Sequence, residues 1–322
     1  MMFPVVPCAA LMPNVRQPAF PGVCMKQYYY GAKRHGPYFE GWYFKLLTRD
    51  GEALALIPAL HIDRKGRRSA SLQVISREAS WWLEYADTEF HAWEDRLQIQ
   101  MGPSLFSEKG VSLRIAREGL SLCGAIRCGP FLPLSSDIMG PFRFVPGMEC
   151  SHGVISMAHP LDGQLVLNGR TINFSGGTGY IETDRGRSFP DRYLWTQCAW
   201  QEARRSSNSI MLSVATIPLP VGRFTGCICA VVCHGREYRL ATYRGARVQR
   251  WARDGAVIRQ GNDRLTVELL EGRERPLRAP VEGSMGRTIH ESLCAGVRYR
   301  FWHGGALLLS HTDCQASFEY AD

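Results

Sequence analysis

The chain has 322 residues, of which 45% are hydrophobic and 21% are charged, a balance typical of a globular protein with one large or two ordinary domains. Its formal net charge of +8 is spread along the sequence and forms no basic block, which argues against nucleic-acid binding and leaves peripheral contact with an anionic membrane surface open. No apolar run reaches the roughly 18 residues that a membrane-spanning helix needs.

The first 27 residues are predicted to form an irregular N-terminal segment. The opening run MMFPVVPCAALMP is apolar, but it contains Pro4, Pro7 and Pro13 and lacks the basic start of a signal peptide. We therefore expect a cytoplasmic protein. In that compartment the 11 cysteines, which are odd in number and irregularly spaced, are expected to stay reduced.

The next segment, RHGPYFEGWYFKLL (34–47), crowds aromatic rings around a single carboxylate. On a strand, Tyr38, Glu40 and Trp42 share one face, and the residues between them face the other way. Burial among rings removes water from Glu40, which raises its pKa and favours the protonated acid. Two interpretations stay open: a catalytic acid, or a structural group held by an ion pair or by hydrogen bonds to the backbone.

Most of the remaining chain alternates between apolar and polar residues, the period of half-buried strands. The clearest runs are RLQIQM (96–101), GVSLRIA (110–116), QLVLN (164–168), RLTVELL (264–270) and GVRYRFW (296–302). Turn signals at Asp254-Gly255 and Gly261-Asn262-Asp263 predict a three-stranded meander near the C-terminal end. We predict an all-β protein with roughly twenty short strands.

So many strands imply exposed sheet edges, and closure into barrels is the usual way to remove them. The stretch 129–150 is rich in Pro and Gly and interrupts the alternation. We therefore predict two antiparallel β-barrel domains in tandem, an N-terminal one over residues 28–148 and a C-terminal one over residues 149–322.

A second unusual segment is GGTGYIETDRGRSFPDRYLWTQCAW (176–200), in which charged side chains are followed at once by aromatic ones. The charged residues are Glu182, Asp184, Arg185, Arg187, Asp191 and Arg192. Flanking glycine and proline residues make the mouth of a binding site one interpretation. The other is a charged loop that pairs with itself at the surface.

No motif indicates a bound cofactor or metal. SGGTGY (175–180) lacks the lysine and the strand-to-helix context of a phosphate loop. In CICAVVCH, Cys227, Cys229 and Cys233 fall on one face of a strand beside His234, which favours core packing over metal binding. We predict no cofactor and no metal site.

Four segments resemble the tocopherol cyclase family and its bacterial relatives, in the same order and spacing from about residue 30 to the end. They are YFEGWYFK (38–45), MECSHGVIS (148–156), GGTGYIETDRGRSFPDRYLWTQ (176–197) and SFEY (317–320). The resemblance implies two lipocalin-like barrels, similar in fold to the carotenoid hydratases, with a hydrophobic ligand between or within them.

One position departs from that family. Its members carry Glu-Lys-x-Trp-Gly where this chain reads Glu182-Thr183-Asp184-Arg185-Gly186. An arginine therefore stands in place of the family tryptophan, where we expect it to pair with Glu182 or Asp184.

The resemblance also implies an activity, the cofactor-free cyclisation of a prenylated quinol. A proton adds to a prenyl double bond, and the phenolic oxygen captures the cation to close a chromanol ring. The candidate proton donors are Glu40, Asp184 and Glu182.

The expected substrate-binding residues are Tyr38, Trp42, His61, His152, Tyr180, Arg185, Tyr193, Trp195 and Gln197. For each histidine and each aromatic residue a purely structural role stays open. A second hypothesis is a non-enzymatic carrier, because a lipocalin-like barrel binds hydrophobic ligands without catalysis. In both cases the expected partner is a hydrophobic small molecule and not a nucleic acid.

Overall fold

The computed structural model describes residues 27–145, 148–201, 207–218 and 222–322. Apart from Gln27, the predicted irregular N-terminal segment lies outside these residues. The described part forms 22 β-strands and four short 3-10 helices. Within it, no helix is both long and apolar enough to cross a membrane.

The strands, numbered along the chain, are β1 (Tyr38–Leu47), β2 (Ala53–Ile62), β3 (Arg68–Ser76), β4 (Ser80–Ala86), β5 (Phe90–Ala92), β6 (Gln98–Met101), β7 (Ser104–Ser107), β8 (Gly110–Arg117), β9 (Leu120–Cys128), β10 (Cys150–Leu167), β11 (Arg170–Asn173), β12 (Thr178–Gly186), β13 (Tyr193–Gln201), β14 (Ser207–Pro218), β15 (Arg223–Cys233), β16 (Arg236–Ala241), β17 (Arg247–Ala252), β18 (Gly255–Gln260), β19 (Asp263–Glu271), β20 (Arg275–Val281), β21 (Ser284–His303) and β22 (Ala306–Ala321). The 3-10 helices cover Gly31–Lys33, Asp87–Glu89, Gly140–Phe144 and Thr242–Arg244.

The strands form two antiparallel sheets, so the all-β prediction is confirmed. The first sheet has the order β4-β3-β2-β1-β12-β10-β9-β8-β7-β6-β5, with β11 beside β10. The second has the order β16-β15-β14-β13-β22-β21-β19-β18-β17, with β20 beside β21. In each sheet a late strand returns to pair with an early one, as β12 does with β1 and β22 does with β13.

The two sheets divide between Gly186 and Tyr193 and not at the expected boundary near residue 148. The irregular stretch that suggested the earlier boundary leads into β10, which pairs with β9 on one side and with β12 on the other. Strands β10 to β12 therefore complete the first sheet. Composition marked a real loop, but only strand pairing decides to which sheet the following strands belong.

Strand β1 is buried on both faces, and this explains its unusual density of rings. Trp42 and Phe44 belong to a core enclosed by the first sheet. Tyr43 and Leu47 belong to a different core, to which both sheets contribute. Because successive side chains of a strand point to opposite faces, a strand between two cores needs large apolar residues at consecutive positions.

The second sheet encloses its own core, where Cys227, Cys229 and Cys233 are buried among aliphatic and aromatic side chains. The alternation of these cysteines predicted that packing. The predicted meander is also present, because β17, β18 and β19 pair consecutively through the two turns that the sequence indicated.

Candidate functional site

A cavity of about 670 Å³ lies between the two sheets. This volume falls within the range of roughly 300–1,000 Å³ that small-molecule sites occupy. Its wall in the first sheet includes Phe39, Gly41 and Tyr43, the face of β1 that points away from the first core. Tyr193 and Trp195 of β13 contribute from the second sheet. The cavity is therefore built where two apolar sheet faces meet.

Three ionisable side chains meet on one wall of this cavity. β10 pairs with β12 so that His152 lies opposite Asp184, and Glu182 is two residues away on the same face. His152 Nδ1 is 3.0 Å from Asp184 Oδ1. His152 Nε2 is 3.3 Å from Glu182 Oε2, in contact but outside hydrogen-bond geometry. We call His152, Glu182 and Asp184 the histidine–carboxylate cluster.

Two neighbouring side chains hold Glu182 in place. The hydroxyl of Tyr180 donates a hydrogen bond of 2.5 Å to Glu182 Oε2, and the indole N–H of Trp195 donates one of 3.2 Å to the same oxygen. Tyr180 comes from the same strand and Trp195 from the other sheet, so this carboxyl joins the two sheets.

Gly186 ends the strand with a φ of +156°, and a Cβ there would lie 2.0 Å from the Glu149 carbonyl oxygen, so only glycine fits.

Burial and charge act in opposite directions on the cluster. Burial by itself would lower the pKa of His152, but the adjacent carboxyls of Asp184 and Glu182 raise that pKa well above its usual value. Burial raises the pKa of Glu182, and the neighbouring His152 opposes that rise. Asp184 has the most exposed side chain of the three, at 23%. The cluster therefore holds protons beside a largely apolar space.

The donor atoms of the cluster also lie within 4.8 Å of one another, a spacing that would suit a divalent cation. The same holds for Cys198, His311 and Asp313 of the second sheet. In that second group Asp313 accepts a hydrogen bond from His311, 3.0 Å away, and the His311 ring stacks on Trp200. Hydrogen bonds and stacking account for both arrangements.

Three further carboxyls line the cavity, those of Glu149, Glu291 and Glu319, and the sequence interpretation did not assign them. Glu291 of β21 accepts a hydrogen bond of 2.5 Å from the Tyr43 hydroxyl. Glu319 of β22 accepts one from the Tyr193 hydroxyl. Glu291 and Glu319 are paired across the two strands, so both face the cavity. The available signal was their position in alternating strands, at points where an apolar side chain would be expected.

Glu40 lies elsewhere. It is 1% exposed and is not part of the cavity wall, because it points from the opposite face of β1 towards the first core. Its Oε1 and Oε2 accept hydrogen bonds of 3.2 and 3.0 Å from the backbone N–H of Tyr30, and Oε2 accepts another of 2.9 Å from the Tyr38 hydroxyl. These contacts fit the structural interpretation, in which Glu40 anchors the segment that precedes β1, and they give no support to a role as proton donor.

Arg185 also points away from the cavity. It is paired with Glu40 across β12 and β1, and its guanidinium lies 4.0 Å from the centre of the Tyr30 ring. The expected pairing with Glu182 or Asp184 is wrong, because even-numbered and odd-numbered residues of β12 face opposite sides of the sheet. The position where the resembled family has a tryptophan therefore faces Tyr30, ahead of β1.

The remaining predicted residues lie in the first core, in the cavity wall or between the sheets beyond that wall. Trp42 and Tyr38 belong to the first core. His61 lines the cavity, with its Nε2 2.7 Å from the Ser71 hydroxyl, and burial lowers its pKa to about 4. Gln197 is buried between the sheets beyond the cavity wall, and neither of its amide atoms has a hydrogen-bond partner.

Comparison with solved structures finds the same architecture. An AttH-like protein from Nitrosomonas europaea aligns over 88% of this chain and 92% of its own, with 14% identity and a TM-score of 0.50. CghA, solved with Sch210972, aligns over 88% of each chain, with 10% identity and a TM-score of 0.56. This chain has a two-domain lipocalin-like β fold.

Kievitone hydratase from Nectria haematococca aligns over 92% of this chain and 94% of its own, with 10% identity, but its TM-score of 0.48 is too low to support an inference. No family model matches the sequence, and no curated protein matches it. At identities of 14% or less, these likenesses show the fold alone.

Proposed function

We propose that this protein is an enzyme that adds a proton to a carbon–carbon double bond of an apolar substrate held between the two sheets. The cation that forms is captured by an oxygen nucleophile, either water or a hydroxyl of the substrate. The specific form of the proposal is ring closure of a prenylated quinol, which the family resemblance implies. The observation that carries it is a histidine–carboxylate cluster in the wall of a largely apolar cavity of about 670 Å³.

The cavity has the properties that this chemistry needs. Protonating an alkene requires an acid shielded from water, because water would otherwise take the proton or quench the cation. The cation needs aromatic faces, which attract positive charge. Five aromatic rings of the cavity wall meet edge to face, with ring centres 5.3 to 5.9 Å apart. The contacting pairs are Phe39 with Phe189, Phe189 with Tyr193, and Tyr43 with Trp195.

The histidine–carboxylate cluster accepts the proton that the oxygen nucleophile loses. The C=C π bond breaks as a C–H bond forms, and a C–O bond then forms as the O–H proton moves to a carboxylate. Asp184, the most exposed member of the cluster, is the carboxylate that accepts this proton, and His152 orients it through their hydrogen bond. The protein gives one proton to the alkene and takes one from the nucleophile, so its total number of protons is unchanged and the reaction needs no co-reactant beyond the nucleophile.

The structure of CghA with Sch210972 supports a fold that accepts a small organic molecule, but it does not identify the substrate here. A carrier function is the second candidate, and the apolar character of most of the cavity wall favours it. The two candidates differ in one respect. A carrier has no use for a proton-holding cluster in its cavity wall, whereas an enzyme requires one.

The test is to incubate the protein anaerobically with a prenylated quinol in D₂O and to follow the product by chromatography and mass spectrometry. Cyclisation should change the retention time and leave one solvent deuterium on a carbon of the new ring, where it does not exchange. The Asp184→Asn and Glu182→Gln variants should each lose about 100-fold or more in rate, the usual size of an acid–base contribution. Glu40→Gln is the matched control and should keep the wild-type rate.

Quinol that stays unchanged but elutes with the protein would replace the enzyme proposal with the carrier. If neither turnover nor binding occurs, the prenylated quinol is the wrong substrate class. Should Glu40→Gln lose activity while Asp184→Asn keeps it, the site would have to be placed in the first core and not between the sheets.

A further inference from the structure

Glu291 differs from the other carboxyls of the cavity in the way its two oxygens are used. Oε1 accepts the hydrogen bond of 2.5 Å from Tyr43, whose hydroxyl is also 3.1 Å from the Ser317 hydroxyl. Oε2 is buried and has no hydrogen-bond partner. An unpartnered buried oxygen is costly, and in a folded protein it calls for an explanation.

We propose that Glu291 is the carboxyl that donates the proton to the substrate, and that Tyr43 positions it. This inference rests on the proposed function and names the donor within the same cavity. A neutral carboxyl keeps its proton on the oxygen that is not already accepting a hydrogen bond, here Oε2. The proton is then available to a substrate atom, because no protein group lies in hydrogen-bond geometry with Oε2.

Glu182, Glu319 and Glu40 are less suited to donate, and the remaining carboxyls of the cavity wall, Asp184 and Glu149, are only partly buried. One hydroxyl and one indole N–H already donate to Glu182 Oε2, and His152 lies beside it. Tyr180 and His152 favour the ionised form of Glu182 and so oppose the burial that raises its pKa. Glu319 accepts the Tyr193 hydroxyl, and unlike Glu291 it has no carboxyl oxygen that is both buried and unpartnered. Glu40 faces the first core.

Several titratable groups lie around Glu291. They are Tyr43 and Lys45 on β1, Glu182 on β12, Glu319 on β22 and Arg275 on β20. Arg275 is turned to the Arg77 carbonyl, 3.2 Å away, and the Lys45 ammonium donates to the Gln315 carbonyl at 2.8 Å.

The balance of these influences suits a proton donor. Burial raises the pKa of Glu291 to about 7, against the opposing effects of Tyr43, Lys45 and the Ser317 hydroxyl. The group is therefore protonated below neutral pH and able to release its proton near it, which is the range where an acid catalyst is most effective. Lys45 is itself buried, and burial lowers its pKa, which weakens its attraction for the carboxylate.

The proposed step is balanced. The O–H bond at Glu291 Oε2 breaks, a C–H bond forms at the alkene, and the Tyr43 hydroxyl stabilises the carboxylate that remains. The nucleophile loses its proton to the histidine–carboxylate cluster. Solvent then returns one proton to Glu291 and takes one from the cluster, so the protein regains its starting state.

The test compares Glu291→Gln with wild type and with Glu40→Gln as the control. Gln keeps the shape of the side chain and can still accept from Tyr43, but it has no proton to give. Turnover in Glu291→Gln should fall by about 100-fold or more, while binding of the prenylated quinol, followed by isothermal titration, stays close to wild type. Turnover within about threefold of wild type would overturn the proposal.

Tyr43→Phe separates positioning from mere packing. The Tyr43 hydrogen bond lowers the pKa of Glu291, so removing it should move the high-pH limb of the rate profile to higher pH. A purely structural role for Tyr43 would reduce the rate without moving that limb, and that result would contradict the positioning role.

Infrared difference spectroscopy keeps the inference testable if wild type turns over no quinol, the outcome that defeats the proposed function. Because burial raises the pKa of Glu40 to about 7 as well, the comparison is made in the Glu40→Gln background. A protonated-carboxyl band that titrates near pH 7 should be present in Glu40→Gln and missing in the Glu40→Gln/Glu291→Gln double variant. Adding dimethyldodecylamine, an apolar cation, should lower the pH at which that band disappears, because the amine stabilises a carboxylate facing the cavity. Absence of the band, or a band that ignores the amine, would overturn the assignment of Glu291.

Discussion

Glu40 and Glu182 lie on neighbouring strands of the first sheet, β1 and β12, but their side chains lie in different environments. Both are almost fully buried, at 1% and 4% exposure, and burial raises the pKa of each. Glu40 is surrounded by the backbone of Tyr30 and the hydroxyl of Tyr38. Glu182 meets a histidine, a tryptophan of the other sheet and a cavity.

The difference teaches that burial and a raised pKa do not by themselves indicate a functional carboxyl. What separates the two is which face of the sheet each occupies. Glu40 shares its face with the first core, where its partners come from the chain segment just before β1. Glu182 occupies the face towards the second sheet, where a ligand has room.

The largest expected effect concerns stability at Glu40. Glu40→Ala should lower the free energy of unfolding by about 3 kcal/mol, because it leaves the buried Tyr38 hydroxyl and the partly buried Tyr30 N–H without an acceptor, and each lost acceptor costs roughly 1–3 kcal/mol. Chemical denaturation at pH 5 measures the change. A loss below about 1 kcal/mol would mean that Glu40 is not an anchor.

The pH dependence of stability provides a second test of the same residue. The pKa of Glu40 is about 7 in the folded protein against an ordinary value of 4.5, so between these values the native state keeps a proton that the unfolded state has released. The free energy of unfolding should therefore fall as pH rises through this window, by up to about 3 kcal/mol at 1.36 kcal/mol per pKa unit.

Denaturation of wild type and Glu40→Gln at several pH values measures this contribution as the difference between the two curves. Below the window the contribution is fully present, and above it the contribution is lost. Two parallel curves would show that Glu40 does not titrate there.

The smallest expected effect is at Arg185, the residue that stands where the resembled family has tryptophan. Arg185→Trp should change ligand affinity and turnover by less than about twofold, and the stability by no more than the 0.5–1 kcal/mol typical of a cation–π contact. The reason is that Arg185 faces Tyr30 and not the cavity. A tenfold gain in turnover would place this position in the substrate site instead. Isothermal titration and steady-state rates would decide.

Much of the fold could be read from local patterns. The alternation of apolar and polar residues predicted an all-β chain, and the Asp254-Gly255 and Gly261-Asn262-Asp263 turns predicted the β17–β19 meander that is present. The cysteines of β15 were predicted to pack in a core and do so. These features depend on residues close in sequence, so sequence patterns could predict them.

The candidate site could be predicted only in part. The segment 176–200 held Glu182 and Asp184, and His152 was among the expected residues, but nothing local showed that all three would meet. Glu291 was missed because its partner, Tyr43, is 248 residues away in the chain. No short pattern records such a pair.

The sequence by itself determined the type of structure: antiparallel strands, their turns, and strands such as β1 that need large side chains on both faces. The tertiary structure decided the rest, because β12 pairs with β1 and β22 with β13 only after long stretches of chain have folded back. That pairing sets where the first sheet ends and puts Glu40 and Arg185 on one face of that sheet. The cluster lies on its other face, towards Glu291 of the second sheet. The alternation of apolar and polar residues along a strand predicts that neighbouring side chains face opposite sides of the sheet. Only packing against the second sheet decides which of those faces encloses a cavity.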